Sequence, residues 1–245
     1  MSFLLKKKGE MKIEKEKQEK IELNRVYLMD ALEGIKKIED KSIDLIVTDP
    51  PYFQGLTCNG QKGEFNDLII CKPFFLELAK ECKRVLKDTG RLYMFCDWRG
   101  YAFYYSVFCQ ELPIRNLIVW DKTTGMGNMY NYQHEFILYA TIKPVIQGGK
   151  NIWQIPGYTN QAVRSKYGEK LHPAQKPLDV IRRIVLDGSK EGDTVLDTFA
   201  GSGTTMQVCI EEGRNFIGFE ISEKYYEIIE KRIKEVRENN TYVFK

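Results

Sequence analysis

Histidine is scarce in this chain, with two among 245 residues (His134 and His172). The six cysteines (Cys58, Cys71, Cys82, Cys96, Cys109, Cys209) contain no Cys-x-x-Cys pair. Zinc sites are built from closely spaced pairs of such ligands, so no metal site is expected and buried, reduced thiols are. Long apolar runs are also missing. The longest, Ile43–Val47, Leu117–Trp120 and Phe136–Ile142, are strand-sized and far short of the ~18 residues of a membrane span. At the start, MSFLLKKKGE, the lysines follow the short apolar patch and no cleavage-like segment comes after them, which does not make a signal peptide. A cytoplasmic protein is expected, with no membrane partner.

Excess charge of either sign is absent as well. Lys and Arg number 37 and Asp and Glu 34, for a net +3, which excludes a histone-like or ribosomal-tail chain. The total conceals its distribution. Residues 1–20 hold seven lysines and four glutamates; residues 143–183 hold eight basic and two acidic residues; the segments on either side of 143–183 are net acidic. Residues 1–22 therefore read as a charged tail, and 143–183 as a local basic stretch within an otherwise balanced body.

Hydrophobic content of 43% and aromatic content of 12% are globular values. From Val26 onward, strand-like runs (25–28, 43–48, 91–96, 114–120, 135–141, 194–197, 215–220) alternate with helix-like stretches (31–38, 73–86, 101–112, 178–186, 204–212, 223–238). Strands alternating with helices predict an α/β fold, a mostly parallel sheet covered on both faces, over residues 23–245. No internal repeat is visible. Three stretches break the rhythm: 53–70, 123–133 and 143–172. Loops of that length inside a domain tend to carry function.

The strongest local pattern is Thr194-Val-Leu-Asp-Thr-Phe-Ala-Gly-Ser-Gly-Thr-Thr205. A short apolar strand ends at Asp197, turns through Gly201 and Gly203 and opens a helix. Glycines there let backbone approach a ligand, and a helix N-terminus favours a negative group. No Gly-Lys-Ser/Thr closes the loop, which excludes a Walker phosphate loop, and Met206 stands at the third glycine position of a dinucleotide loop. A nucleotide-like ligand fits, with Glu220 at the end of the next strand suited to ribose hydroxyls. The competing reading is a tight strand-to-helix turn with a surface glutamate.

A second strand, Ile43–Thr48, runs into Asp49-Pro-Pro-Tyr52. Pro50 and Pro51 lack N–H groups and have fixed φ, so they hold the turn rigid with carbonyls exposed. Asp49 and the Pro50 carbonyl then make a preset pair of acceptors, and Tyr52 a flat face beside them. That suits an exocyclic amino group on a flat heterocycle. An ordinary strand-ending turn is the alternative for these four residues taken alone.

Asp49-Pro-Pro-Tyr52, His172-Pro-Ala-Gln-Lys-Pro177 and Asp197-Thr-Phe-Ala-Gly-Ser-Gly-Thr-Thr205, in that order, resemble the S-adenosylmethionine-dependent DNA amino-methyltransferases. Catalytic motif first and cofactor loop later resembles their beta group, which is circularly permuted relative to most methyltransferases. The resemblance spans residues 24–238, and Ala174 departs from the usual Thr. It implies a Rossmann-like methyltransferase fold and S-adenosyl-L-methionine as cofactor. By the same resemblance Phe199, Gly201, Thr204 and Thr205 line the methionine side, within a site that also takes in Asp49, Asp197, Ala200, Ser202 and Gly203. Glu220 matches the acid on the ribose, and Lys176 a residue near the methionine carboxylate.

The implied reaction is a direct in-line methyl transfer to the N6 amino group of an adenine flipped out of double-stranded DNA, with Asp49, Pro50, Pro51 and Tyr52 catalytic. No cysteine accompanies the prolines, which sets aside C5-cytosine chemistry. An Asp at position 49 resembles the adenine-N6 enzymes; cytosine N4, or RNA, remains the nearer alternative. A silent DNA-binding protein and a dinucleotide-dependent oxidoreductase are the rivals of other classes. DNA contacts are expected from Phe53, Asn128, Tyr130, Arg164 and Lys166, with 143–172 as a small target-recognition insertion whose Trp153, Tyr158 and Tyr167 interleave with basic residues. A mobile lid over 53–70 is a further expectation. A homodimer or a cognate restriction endonuclease are the protein partners such an enzyme would have.

Overall fold

A computed structural model describes residues 21–52, 57–58, 61–62, 68–145, 148–168, 171–172 and 174–243. The tail before residue 21, Phe53 and most of the 53–70 stretch lie outside the described residues.

The apolar runs become strands because their side chains are buried on both faces, as in Ile43–Thr48, where five of six residues are covered. In chain order the elements are β1 (Arg25–Leu28), α1 (Ala31–Ile35), β2 (Ile43–Thr48), the small hairpin β3 (Thr57–Cys58) and β4 (Gln61–Lys62), α2 (Leu68–Val85), β5 (Leu86–Cys96), α3 (Tyr101–Phe108), β6 (Ile114–Asp121) and β7 (His134–Thr141). There follow β8 (Ile152–Gln154), α4 (Gln161–Tyr167), α5 (Leu178–Gly188), β9 (Thr194–Asp197), α6 (Thr204–Glu211), β10 (Asn215–Glu220) and α7 (Glu223–Val243). Eight strands form one sheet in the order β1-β10-β9-β2-β5-β7-β6-β8. All pairings are parallel except those of β7, which runs against both β5 and β6.

Two apolar layers flank the sheet. One gathers Ile35, Phe75, Leu78, Tyr104 and Phe108 from α1, α2 and α3. The other gathers Ile181, Val185, Met206, Val208, Ile229 and Ile233 from α5, α6 and α7. In α5 the buried Leu178, Ile181, Ile184, Val185 and Gly188 recur at three- and four-residue spacing, so one stripe meets the sheet.

From β9 the chain crosses through α6 to β10 on one side; from β2 it crosses through α2 to β5 on the other. The strand order therefore reverses between β9 and β2. Connections that leave in opposite directions open a crevice at the carboxyl ends of such strands, and both sequence motifs end there. Asp49 and Glu220, however, do not end neighbouring strands: β9 lies between β2 and β10, so the two acids are about 10 Å apart in strand spacing. Asp197 fills the gap.

The 143–172 stretch is not a structureless loop. It contributes β8, which extends the sheet beyond β6, and α4, capped by Asn160 on the amide of Ala162. Trp153 and Tyr158 are buried, so they serve packing and not a recognition surface. Of the five cysteines with described side chains, four are buried as expected and Cys109 is exposed.

Candidate active site

Asp197 fixes the glycine loop. Its Oδ1 accepts the Phe199 amide at 3.1 Å and its Oδ2 accepts the Thr205 hydroxyl at 2.6 Å, closing the turn on itself. Burial pushes this carboxyl up to about 7. Gly201 (φ 56°) and Gly203 (φ 77°) are both left-handed, a conformation that side chains strain, and a Cβ on Gly203 would stand 3.0 Å from Ile229. Ser202 is buried, and Thr204 Oγ1 accepts from Arg232 at 3.2 Å. The reason Met206 replaces a glycine lies on the next strand. A Cβ on Gly218 would come 2.1 Å from the Met206 methyl, so the space that lets helix approach strand is left by β10 and filled from α6.

Glu220 accepts the Gly201 amide on one oxygen and the Ser222 amide on the other, each at 2.8 Å. An ionised carboxylate has about four acceptor positions; the Gly201 and Ser222 amides, with a further contribution from the Ile221 amide, leave capacity that suits a ribose hydroxyl. Ala200 is buried beneath the loop and Phe199 half-buried beside it. The donor set fits a nucleoside cofactor: an acid with spare acceptors next to backbone that only glycine can shape.

Across the crevice, Thr48 and Thr198 hydroxyls meet at 2.6 Å and tie the ends of β2 and β9 together. The proline turn is pinned from below by Tyr104, whose hydroxyl donates to the Pro51 carbonyl at 2.7 Å. Asp49 accepts the Lys176 ammonium on Oδ2 at 2.6 Å, while its buried Oδ1 has no hydrogen-bond partner among the described residues. Such an atom costs on the order of 1–3 kcal/mol if left unpaired. Tyr52 donates to Glu135 Oε2 at 2.9 Å, Lys176 lies 3.4 Å from the same oxygen, and Lys122 lies 3.2 Å from Oε1. Lys176 also sits 4.9 Å from the centre of the Tyr52 ring and 5.0 Å from that of Phe95.

These contacts set the charges. Burial raises Asp49 above the usual carboxylate range even though Lys176 pulls the other way. Burial works against the Lys176 charge too, but two carboxylates outweigh it and hold its pKa raised. The partners differ because Asp49 shares one ammonium with Glu135, whereas Lys176 has both acids to itself. Glu135, buried but flanked by Lys176 and Lys122, ends below its ordinary value. Burial and the two acids push the Tyr52 phenol far up, so it stays a donor.

Asp49, Pro50, Pro51, Tyr52 and Lys176 thus meet at one strand end, with Asp197, the glycine loop and Glu220 beside them. The Lys176 ammonium faces Asp49 and Glu135; the resemblance sets it near the cofactor's carboxylate. Asn128 and Tyr130 are exposed, Tyr130 at 88% and its neighbour Met129 at 93%. They lie in the 123–133 connection, which the Lys122–Gln133 backbone bond closes and the Thr124–Thr159 bond joins to the segment leading into α4. Arg164 and Lys166 stand on α4, Arg164 bonded to Gln161 and Lys166 to Asp179.

Glu135 and Lys122 carry no signal of a site in the sequence motifs. Parallel sheets place ligands after strands, and that is where acids stand out. Because β7 runs backwards, its first residues reach the same edge: Glu135 pairs with Trp120 and Phe136 with Cys96. An acid at the start of an otherwise apolar strand was the available sign.

Comparison with known proteins agrees with this geometry. Residues 43–231 match a family model described as DNA methylase. The type II methyltransferase M.HinfI of Haemophilus influenzae is 32% identical over 251 residues, covering 89% of this chain and 70% of that protein. The DNA adenine methyltransferase YhdJ of Escherichia coli K12 is 34% identical, covering 80% of this chain and 78% of its own. Among solved structures, an M1.HpyAVI complex with S-adenosylmethionine superposes with a TM-score of 0.63 at 25% identity, over 85% of this chain and 98% of the other. A cytosine-N4-specific PvuII methyltransferase, 18% identical, reaches 0.66 over 87% and 89% and shares the fold. With its two motifs meeting at one crevice and a family match over most of its length, the chain belongs to the DNA methylases of the N6/N4 amino-methyltransferase family.

Proposed function

We propose that this protein transfers a methyl group from S-adenosyl-L-methionine to the N6 amino group of an adenine flipped out of double-stranded DNA. The observation that carries the proposal is the buried Oδ1 of Asp49, unpartnered among the described residues, an acceptor at the carboxyl end of β2, at the same sheet edge as the glycine loop and Glu220. Bound S-adenosylmethionine would supply an electrophilic methyl on sulfur, held by Glu220 at the ribose and by the Phe199–Thr205 backbone. Asp49 Oδ1 and the Pro50 carbonyl accept the two N–H bonds of the base, which turns the nitrogen lone pair toward the methyl. Tyr52 stacks on the ring, and the prolines, pinned by Tyr104, keep the acceptors from relaxing away. A base within a duplex cannot enter such a pocket and has to be extruded.

Adenine is favoured over cytosine N4 because the relative named an adenine methyltransferase is 34% identical, whereas the cytosine-N4 neighbour is 18% identical. Target recognition is assigned to Phe53, the 123–133 connection with Asn128 and Tyr130, and α4 with Arg164 and Lys166. A cytoplasmic location, a homodimer and a cognate endonuclease belong to the same proposal. Offering methyl-labelled cofactor with duplex DNA, single-stranded DNA and RNA in parallel tests it: label should enter duplex DNA, and transfer to RNA alone would refute the substrate assignment.

A further inference from the structure

Glu135 has no role in the mechanism above, yet it is the most connected acid in the site. It lies on β7, takes the Tyr52 hydroxyl at 2.9 Å and the Lys176 ammonium at 3.4 Å on one oxygen, and Lys122 at 3.2 Å on the other. Tyr52 forms the stacking face, and Lys176 bonds Asp49 at 2.6 Å and lies over the Tyr52 ring. The cluster therefore contains two carboxylates and two ammoniums, all largely buried. A buried pair is costly unless its geometry and remaining hydrogen bonds are satisfied, and Glu135 satisfies three donors at once.

We propose that Glu135 is a positioning residue for methyl transfer: by engaging Tyr52, Lys176 and Lys122 it holds Lys176 on one oxygen of Asp49 only and leaves the other unbonded as an acceptor for the base. This rests on the amino-methyltransferase reading. The chemistry gives it a purpose. When the amino nitrogen forms its bond to carbon and the carbon–sulfur bond breaks, the nitrogen carries a positive charge and then loses a proton. Asp49 Oδ1 is the acceptor already in place for that proton. A lone ammonium fully committed to Asp49 would weaken it as an acceptor; the negative charge of Glu135 draws Lys176 back and keeps Asp49 basic. The directions of titration agree, with Glu135 raising Asp49 and Lys122 holding Glu135 down.

Other groups facing Asp49 are Cys96 and Tyr104, which burial keeps neutral, and Asp197. Asp197 titrates in parent and variants alike and drops out of a comparison between them.

The test is the pH profile of single-turnover methyl transfer for Glu135→Gln and Lys122→Gln, with cofactor affinity and ligand-free thermal melts measured alongside. Glu135→Gln should lower the plateau rate tenfold or more and move the acid limb to lower pH, with cofactor affinity within about threefold. Lys122→Gln should move the limb the same way by a smaller amount, because Glu135 then protonates more easily and loses the charge that raises Asp49; it serves equally if Glu135→Gln does not fold. Acid limbs unmoved in both variants would overturn the inference, as would cofactor affinity falling in step with rate, which would mark Glu135 as support for the cleft. If the parent methylates no nucleic acid, the reading beneath the inference fails and the inference with it; an active parent with indifferent variants refutes the inference alone.

Discussion

Asp49 and Asp197 end adjacent strands and face opposite tasks, which their partners decide. Asp197 gives both oxygens to its own loop; Asp49 keeps one oxygen unpartnered among the described residues. Asp49→Ala should therefore abolish turnover, by about 1,000-fold or more on the expectation that the acceptor is essential to orienting the amine, while equilibrium binding leaves cofactor affinity within a few-fold. A parallel collapse of cofactor binding would assign the acid to both ligands. Asp197 predicts a pH effect on stability. Its carboxyl titrates near 3.8 unfolded and about 7 folded, so between those values the unfolded chain ionises first and stability falls as pH rises, by up to about 1.4 kcal/mol per pH unit. Denaturant titrations from pH 4 to 7 should show that slope in the parent and a flatter one in Asp197→Asn.

At the scale of elements, a tight constraint lies where α1 crosses β10. Gly34 lies in a helix, where alanine ordinarily stabilises by about 1 kcal/mol. Here a Cβ would stand 2.4 Å from the Phe219 ring, which is fully buried and has nowhere to move. Overpacking of that kind costs about 1–3 kcal/mol, so Gly34→Ala should be net destabilising, seen as a lower denaturation midpoint at unchanged slope. Trp153 makes the matching case for β8. It reads in sequence as a recognition aromatic, but it is buried, packs against Tyr93, and its indole donates to the Lys150 carbonyl. Trp153→Ala should cost about 3–5 kcal/mol of stability.

The elements themselves were legible. Apolar runs and helical spacing place the longer strands and most helices, because these segments are buried on one or both faces and burial dictates composition; β5 and α2 each begin five residues before the expected 91 and 73. β8 and α4 were not. They are short, of three and seven residues, and β8 has a single buried residue, so periodicity has nothing to report. The site was legible on its forward-running strands, where loop chemistry follows the strand. Glu135 was hidden because β7 is reversed, and strand direction is set by pairing far away in sequence; Lys122 follows the forward-running β6 but belongs to no motif, and only its contact with Glu135 marks it.

For the molecule as a whole, the basic stretch 143–183 is less of a field than its charge count implies. Lys143 pairs with Asp88, Lys166 with Asp179, Lys176 with Asp49 and Glu135, Arg182 with Glu211 and Glu212, and Arg183 with Asp187. The acidic flanks that offset it in sequence therefore offset it in space. If α4 faces DNA, neutralising Arg164 and Lys166 together should reduce the slope of log affinity against log salt by about 0.9 for each phosphate they had neutralised. Lys143→Gln should leave the slope alone, since Lys143 follows β7 at the end of the sheet away from the cleft.

The central claim is that the Asp49 acceptor and the glycine-loop cleft together serve an adenine amino group. Its most direct test is to incubate the protein and its Asp49→Ala variant with methyl-labelled S-adenosylmethionine and mixed-sequence duplex DNA, digest to nucleosides and identify the labelled one. Label in N6-methyladenine with the parent, and none with the variant, is the predicted result. Label confined to N4-methylcytosine would contradict the adenine assignment, and label persisting at parental levels in the variant would contradict the role of Asp49.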